Sequence, residues 1–207
     1  MTVQHTSPFN PGVSRRWVLT SLAAGCAVLA ACNDAPAPPD AAKPAAATVS
    51  VAAVAQDATG FSAGSAMSAR VVYVFFDAQC PHCSALWRAA QPLAAQARFV
   101  WIPVQLLNDT SRTQGAALLA AADPVAAMNA HEASMQAGTG GIASAGAGAE
   151  AQLAAVAKNT ALFNRLGFAS IPTIVGTHAQ TGALVTQEGA MPTPALANLL
   201  GLQVPAA

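Results

Sequence analysis

The chain is 207 residues long, one domain's worth of sequence plus a tail. Hydrophobic residues make up 54% and charged residues 9%, which excludes low-hydrophobicity disorder and a highly charged coiled coil, although 53 alanines mean that few of the apolar side chains are bulky. The formal net charge is zero and becomes −2 without Arg15 and Arg16, which excludes an electrostatic nucleic-acid binder; with no run of 18 apolar residues, a polytopic membrane protein is excluded too.

Residues 1–32 read as an export signal. Arg15-Arg16 precedes an apolar run from Trp17 to Ala31. As a helix this run would reach only about 22 Å, short of the roughly 30 Å hydrocarbon core. Leu29-Ala30-Ala31-Cys32 resembles a bacterial lipobox, which implies lipidation of Cys32 and an anchor in a bacterial membrane. Cys26 fits that pattern less well, because Ala23 stands where the lipobox has leucine. Ser14 to Leu19 resembles a twin-arginine export motif, with the general secretory route as the alternative. Residues 33–48 carry Pro36, Pro38, Pro39 and Pro44 among small side chains. They cannot bury enough surface to offset their ordering entropy, so they are expected to form an extended tether to a domain over 49–207.

Thr48 to Val54 reads as a first strand and Arg70 to Phe76 (RVVYVFF) as a buried one. Asp77-Ala78-Gln79 is then a short turn, followed by Cys80-Pro81-His82-Cys83 and a helix through Ala97. Asp77 reads as a turn residue, with a buried proton acceptor for Cys83 as the alternative. Arg98 to Leu107 is a strand with Pro103 at an edge or bulge. Helices follow over Thr113–Ala122, Pro124–Ala137 with Asp123 as N-cap, and Glu150–Leu166, the last two separated by the glycine-rich loop 138–148. Thr173–Val175 and Ala183–Thr186 form a closing hairpin, and Pro194–Leu200 is the last helix. Trp87, Met128 and Met135 read as packing residues.

The cysteines select the chemistry. With Cys26 removed and Cys32 lipidated, the domain retains Cys80 and Cys83 alone. A disulfide between them closes too small a loop to be a useful staple. A zinc site would need further ligands, and His5, His131 and His178 are scattered. The strand-turn-helix context instead puts Pro81 at the first helical position and Cys80 at the N-cap, where free amide N–H groups and the helix dipole favour a thiolate. Cys80 is therefore the exchanging sulfur and Cys83 the resolving one. Pro81 and His82 tune the redox pair, the His82 ring by stabilising the Cys80 thiolate. No cofactor beyond the redox-active Cys80–Cys83 disulfide is called for.

Ser170-Ile171-Pro172-Thr173 before a late strand, together with the Cys80–Cys83 motif after an early one, resembles the thioredoxin superfamily. That resemblance implies an α/β thioredoxin-like fold, here with a helical insertion at about 110–166. It also implies a cis Pro172, and a loop in which Ile171 and Pro172 present backbone groups to an extended client. Val72 to Asp77, Trp87, Ala89 to Pro92, the segment from Asp123 to Ala133, Leu166-Gly167, Glu188-Gly189, Pro192 and Leu196 to Gly201 are further similar to the DsbC/DsbG family of periplasmic thiol-disulfide proteins, its DsbG branch in particular. The likeness spans about residues 57–201. Cys-Pro-His-Cys departs from it, being the dipeptide associated with DsbA. The length ahead of the domain leaves no room for the dimerisation domain of those relatives, so a monomer is expected.

The resemblance implies a periplasmic thiol-disulfide oxidoreductase acting on the thiols or disulfides of exported proteins, as an oxidant or reductase and at most a weak isomerase. It also implies a redox partner in the membrane. Two other readings stay open on the sequence. One is a tethered copper carrier holding Cu(I) through Cys80, Cys83 and either His82 or a nearby methionine. The other is an alanine-rich envelope spacer.

Overall fold

The computed structural model describes residues 47–204. The export signal, the lipobox with Cys32, Cys26 and nearly all of the expected tether lie outside them.

The first element is a helix, α1 (Val51–Asp57), where the sequence suggested a strand. Ser50 is its N-cap, accepting a hydrogen bond from the Ala53 N–H at 3.1 Å, and the following Val-Ala-Ala-Val-Ala-Gln run favours helix. Ala47, assigned above to the tether, is tied to the domain: its N–H donates to the Arg165 carbonyl at 2.9 Å.

The first strand is β1 (Phe61–Gly64), a four-residue segment whose buried and exposed positions alternate. Then come β2 (Val71–Phe76), α2 (Pro81–Ala90) with a 3₁₀ turn over Gln91–Leu93, and β3 (Arg98–Pro103). Three helices follow, α3 (Asp109–Ala120), α4 (Pro124–Gln136) and α5 (Glu150–Arg165), then β4 (Thr173–Thr177), β5 (Leu184–Glu188) and α6 (Thr193–Leu200). The sheet order is β1-β3-β2-β4-β5, with β2 and β3 parallel and every other pair antiparallel.

Strand β2 is central and covered on both faces, which is why its sequence is a continuous apolar run. Val72, Val74 and Phe76 point into a core with Leu86 and Trp87 of α2 and Leu196 and Leu200 of α6. Phe75 points into the opposite core, with Val54 of α1 and Leu162 and Phe163 of α5. Trp87 meets Trp101 of β3 edge-on, ring centroids 4.9 Å apart, and its indole N–H donates to Asn129 of α4 at 3.0 Å. These contacts hold α2 against both the sheet and the insertion.

Strand β3 ends at Pro103 rather than at Leu107. Proline is accommodated in this inner strand because β1 pairs only as far as Trp101, so the side of Pro103 that lacks an N–H faces no partner; the next residue, Val104, resumes bonding to Phe76. Helix α3 starts four residues earlier than its apolar pattern suggests. Asn108 caps it, in a reciprocal pair with Ser111.

Candidate active site

The site begins at the end of β2. Asp77 is buried, and its carboxylate organises two segments at once. Oδ1 accepts from the Gln79 N–H at 2.9 Å and closes the turn. Oδ2 accepts from the N–H groups of Leu106 and Leu107 at 2.8 and 3.0 Å, holding the chain after β3 beside that turn. Asp77 is thus a turn residue, as expected, and is buried beside Cys83 as well: its backbone and its charge both act on that thiol.

Cys80 is the N-cap of α2, with extended backbone angles (φ −94°, ψ 117°), and Pro81 opens the first turn. The Cys80 carbonyl accepts the first helical bond, from the Ser84 N–H. Both cysteines are free thiols and buried, Cys83 the more completely at 1% exposure against 7%. The Cys80 thiol is lowered to about 6. The largest cause is the hydrogen bond donated by the Cys83 thiol. Burial opposes it, while the backbone N–H groups of Cys83 and His82 and, last, the His82 charge assist. His82 is exposed, and its amide lowers the Cys80 thiol more than its ring does. Cys83 is pushed far above the ordinary thiol range by burial first, then by its bond to Cys80 and by the negative charges of Cys80 and Asp77. One sulfur is a ready nucleophile and good leaving group; the other holds its proton.

The Ile171–Pro172 peptide bond is cis. Phe75 pairs with Thr173 across the β2–β4 ladder, so the residues just before Thr173 arrive at the same end of the sheet as the Asp77–Cys80 turn. Ile171 packs against the core that contains Cys80 and Cys83. Its own N–H and C=O have no hydrogen-bond partner among the described residues, whereas the Pro172 carbonyl is taken by the Gly189 N–H at 2.8 Å. Ile171 is thus left with both main-chain groups unpaired among the described residues.

A family model for a thioredoxin-like domain matches residues 63–203. The chain belongs to that family. Among curated proteins, the thioredoxin-like chain is 36% identical over 141 residues to the thiol:disulfide interchange protein DsbG of Pseudomonas aeruginosa, covering 67% of this chain and 54% of that one. The chain therefore spans about half the length of that relative. Among solved structures it is similar in fold to the catalytic domain of Proteus mirabilis ScsC (TM-score 0.54, 19% identity, 72% of this chain and 91% of that one). It is also similar to a periplasmic thioredoxin-like protein of Salmonella enterica serovar Typhimurium (TM-score 0.55, 16% identity, 72% and 92%).

Several residues of this thioredoxin-like site were not singled out from sequence. His131 of α4 is fully buried: its Nε2 donates to the Ala78 carbonyl at 2.7 Å and its Nδ1 accepts from the Ile142 N–H at 3.2 Å, which selects the neutral tautomer protonated on Nε2. Gln79 bonds Gln114 of α3, so α3, α4 and the glycine-rich loop all grip the turn ahead of Cys80. Glu188 of β5 accepts from the Ala169 N–H and the Ser170 hydroxyl, bracing the loop before Pro172. Ser84 and Arg88 follow Cys80 at helical spacing, and this four-residue repeat was the one signal in the sequence that they share a face with the sulfur.

Proposed function

We propose that this chain is a thiol-disulfide oxidoreductase of exported proteins. The observation that carries this reading is the division of labour within the Cys80–Cys83 pair: a helix-capping sulfur lowered to about 6 beside a buried thiol pushed far up. The similarity to a thiol:disulfide interchange protein supports it. In the reducing direction the Cys80 thiolate attacks a client disulfide, forming a mixed disulfide and releasing one client thiolate. Cys83, once deprotonated, attacks the Cys80 sulfur, which breaks the mixed bond and releases the second client thiolate. Two electrons pass to the client and the Cys80–Cys83 disulfide remains, to be reduced again by a dithiol partner. Run backwards, the same steps deliver a disulfide to the client. Ile171 and Pro172 receive the client strand beside the sulfur, and Pro81 and His82 set the potential through the first turn of α2.

The working location in this reading is the periplasm, reached through the Arg15-Arg16 signal, with the domain anchored by lipid on Cys32 and acting as a monomer beside a membrane redox partner.

The deciding experiment uses Cys80→Ser and Cys83→Ser with a disulfide-bonded client peptide. The first is expected to abolish turnover. The second is expected to accumulate a covalent client adduct on Cys80, seen by mass spectrometry and released by reductant. Equal residual turnover in both variants would overturn the proposal.

A further inference from the structure

A cleft of about 210 Å³, lined in part by Cys80, opens between the start of α2 and helix α4. We propose that it is a subsite for a basic side chain of the client, a lysine or arginine within a residue or two of the client's reacting cysteine. The inference rests on the thiol-exchange reading above and concerns only which clients that chemistry prefers.

Its walls and floor differ in character. Ala78, Pro81 and Met135 supply apolar surface on one side of the cleft. Its polar groups come from Ser84 and Arg88 of α2 and from Glu132 and the exposed Gln136 of α4, whose amide makes no hydrogen bond to Glu132. The Glu132 side chain is 7% exposed, whereas that of Arg88 is 51% exposed and reaches the rim. The Arg88 guanidinium donates to the Ser84 hydroxyl at 2.7 Å, and that hydroxyl donates to Glu132 Oε2. Arg88 itself stands 3.9 Å from the same oxygen, too far for a hydrogen bond. Glu132 Oε1 has no hydrogen-bond partner among the described residues. Glu132 lines the cleft, and its side chain keeps 7% exposure there.

A carboxylate this deep, served by one hydroxyl and a distant guanidinium, is short of donors. A lysine or arginine supplies both of the things missing here: an aliphatic stem to lie on Ala78, Pro81 and Met135, and a cationic donor for Oε1. An acidic client residue would meet Arg88 only at the solvent-screened rim and would face Glu132 at depth. Because Cys80 itself lines the cleft, the residue that fills it must lie next to the client sulfur bonded to Cys80.

The test uses three peptides that differ only in carrying Lys, Gln or Glu beside a single cysteine, each as a mixed disulfide with a chromogenic thiol. Rates are measured against the reduced full chain. The Lys peptide is expected to react about 5–10-fold faster than the Glu peptide. Glu132→Gln, which keeps an acceptor for Ser84, should reduce that ratio at least threefold; Arg88→Gln, at an exposed position, should raise it. A change in Cys80 reactivity would scale all three peptides together and leave the ratio intact, so the ratio isolates the subsite. Equal rates for the three peptides, or a ratio unmoved by Glu132→Gln or lowered by Arg88→Gln, overturn the subsite while thiol exchange stands. Failure of every peptide and of a small uncharged disulfide to react overturns the exchange reading and the subsite with it.

Discussion

The thiol of Cys83 donates its hydrogen to the sulfur of Cys80, and this bond is the largest single cause of Cys80's lowered pKa. Helix-terminal amides and His82 add to it, but the proton that stabilises the thiolate belongs to the neighbouring cysteine. The reduced pair is therefore a shared-proton unit, with the charge on the outer sulfur.

Alkylation of Cys80 should consequently rise through a midpoint near pH 6 and level off above it, as the thiolate fraction saturates. Cys83→Ala removes the donor and should move the midpoint up toward the ordinary thiol range. Because the folded-state pKa is depressed, reduced Cys80 stabilises the fold fully above its unfolded pKa, and that stabilisation is lost as pH falls through about 6. Urea denaturation of the reduced wild type across this window, set against Cys80→Ala, measures it: the difference between the two should shrink on acidification.

Asp77 joins the turn before Cys80 to the segment after β3 through three backbone N–H groups. Asp77→Ala strands those donors and is expected to cost about 2–3 kcal/mol in denaturant unfolding, with a smaller loss for Asp77→Asn, whose remaining carbonyl oxygen serves only one of the two segments. The Asn variant should also ease deprotonation of Cys83, since the Asp77 charge is one of the causes that hold that thiol protonated.

Glu188 braces the Ala169–Ser170 segment from across the hairpin. Glu188→Ala should slow exchange with a peptide disulfide more than with a small disulfide, because in the proposed reading only the peptide docks on the backbone of Ile171. Comparing the two rates in one variant separates this positioning effect from any change at the sulfur.

Gly141 has a positive φ of 92°, and a Cβ there would fall 2.5 Å from the His131 ring and 2.8 Å from the Gln114 amide nitrogen. Gly141→Ala should therefore disturb the grip on the Ala78–Gln79 turn. The expected result is a loss of about 1–3 kcal/mol and faster hydrogen exchange in the glycine-rich loop.

The chain's local physics was legible in the sequence wherever one residue type had one reason to be in place. The unbroken apolar run of β2 required burial on both faces, Pro81 required a helix start, and together they set Cys80 at the cap. Where two local readings competed, tertiary structure decided. Thr48 to Val54 alternates well enough for a strand, but Ser50 caps a helix that packs Val54 into the core. Phe61–Gly64 is too short and small to announce itself, and is a strand because β3 offers it an edge.

The site divides the same way. The two sulfurs and their unequal burial and acidity followed from spacing along one helix turn. The carboxylates did not: Glu132 reaches Ser84 across 48 residues of chain, and Glu188 reaches Ser170 across the hairpin. Their function depends on which backbone or hydroxyl donor folding brings within about 3 Å, a distance that separation along the sequence does not encode.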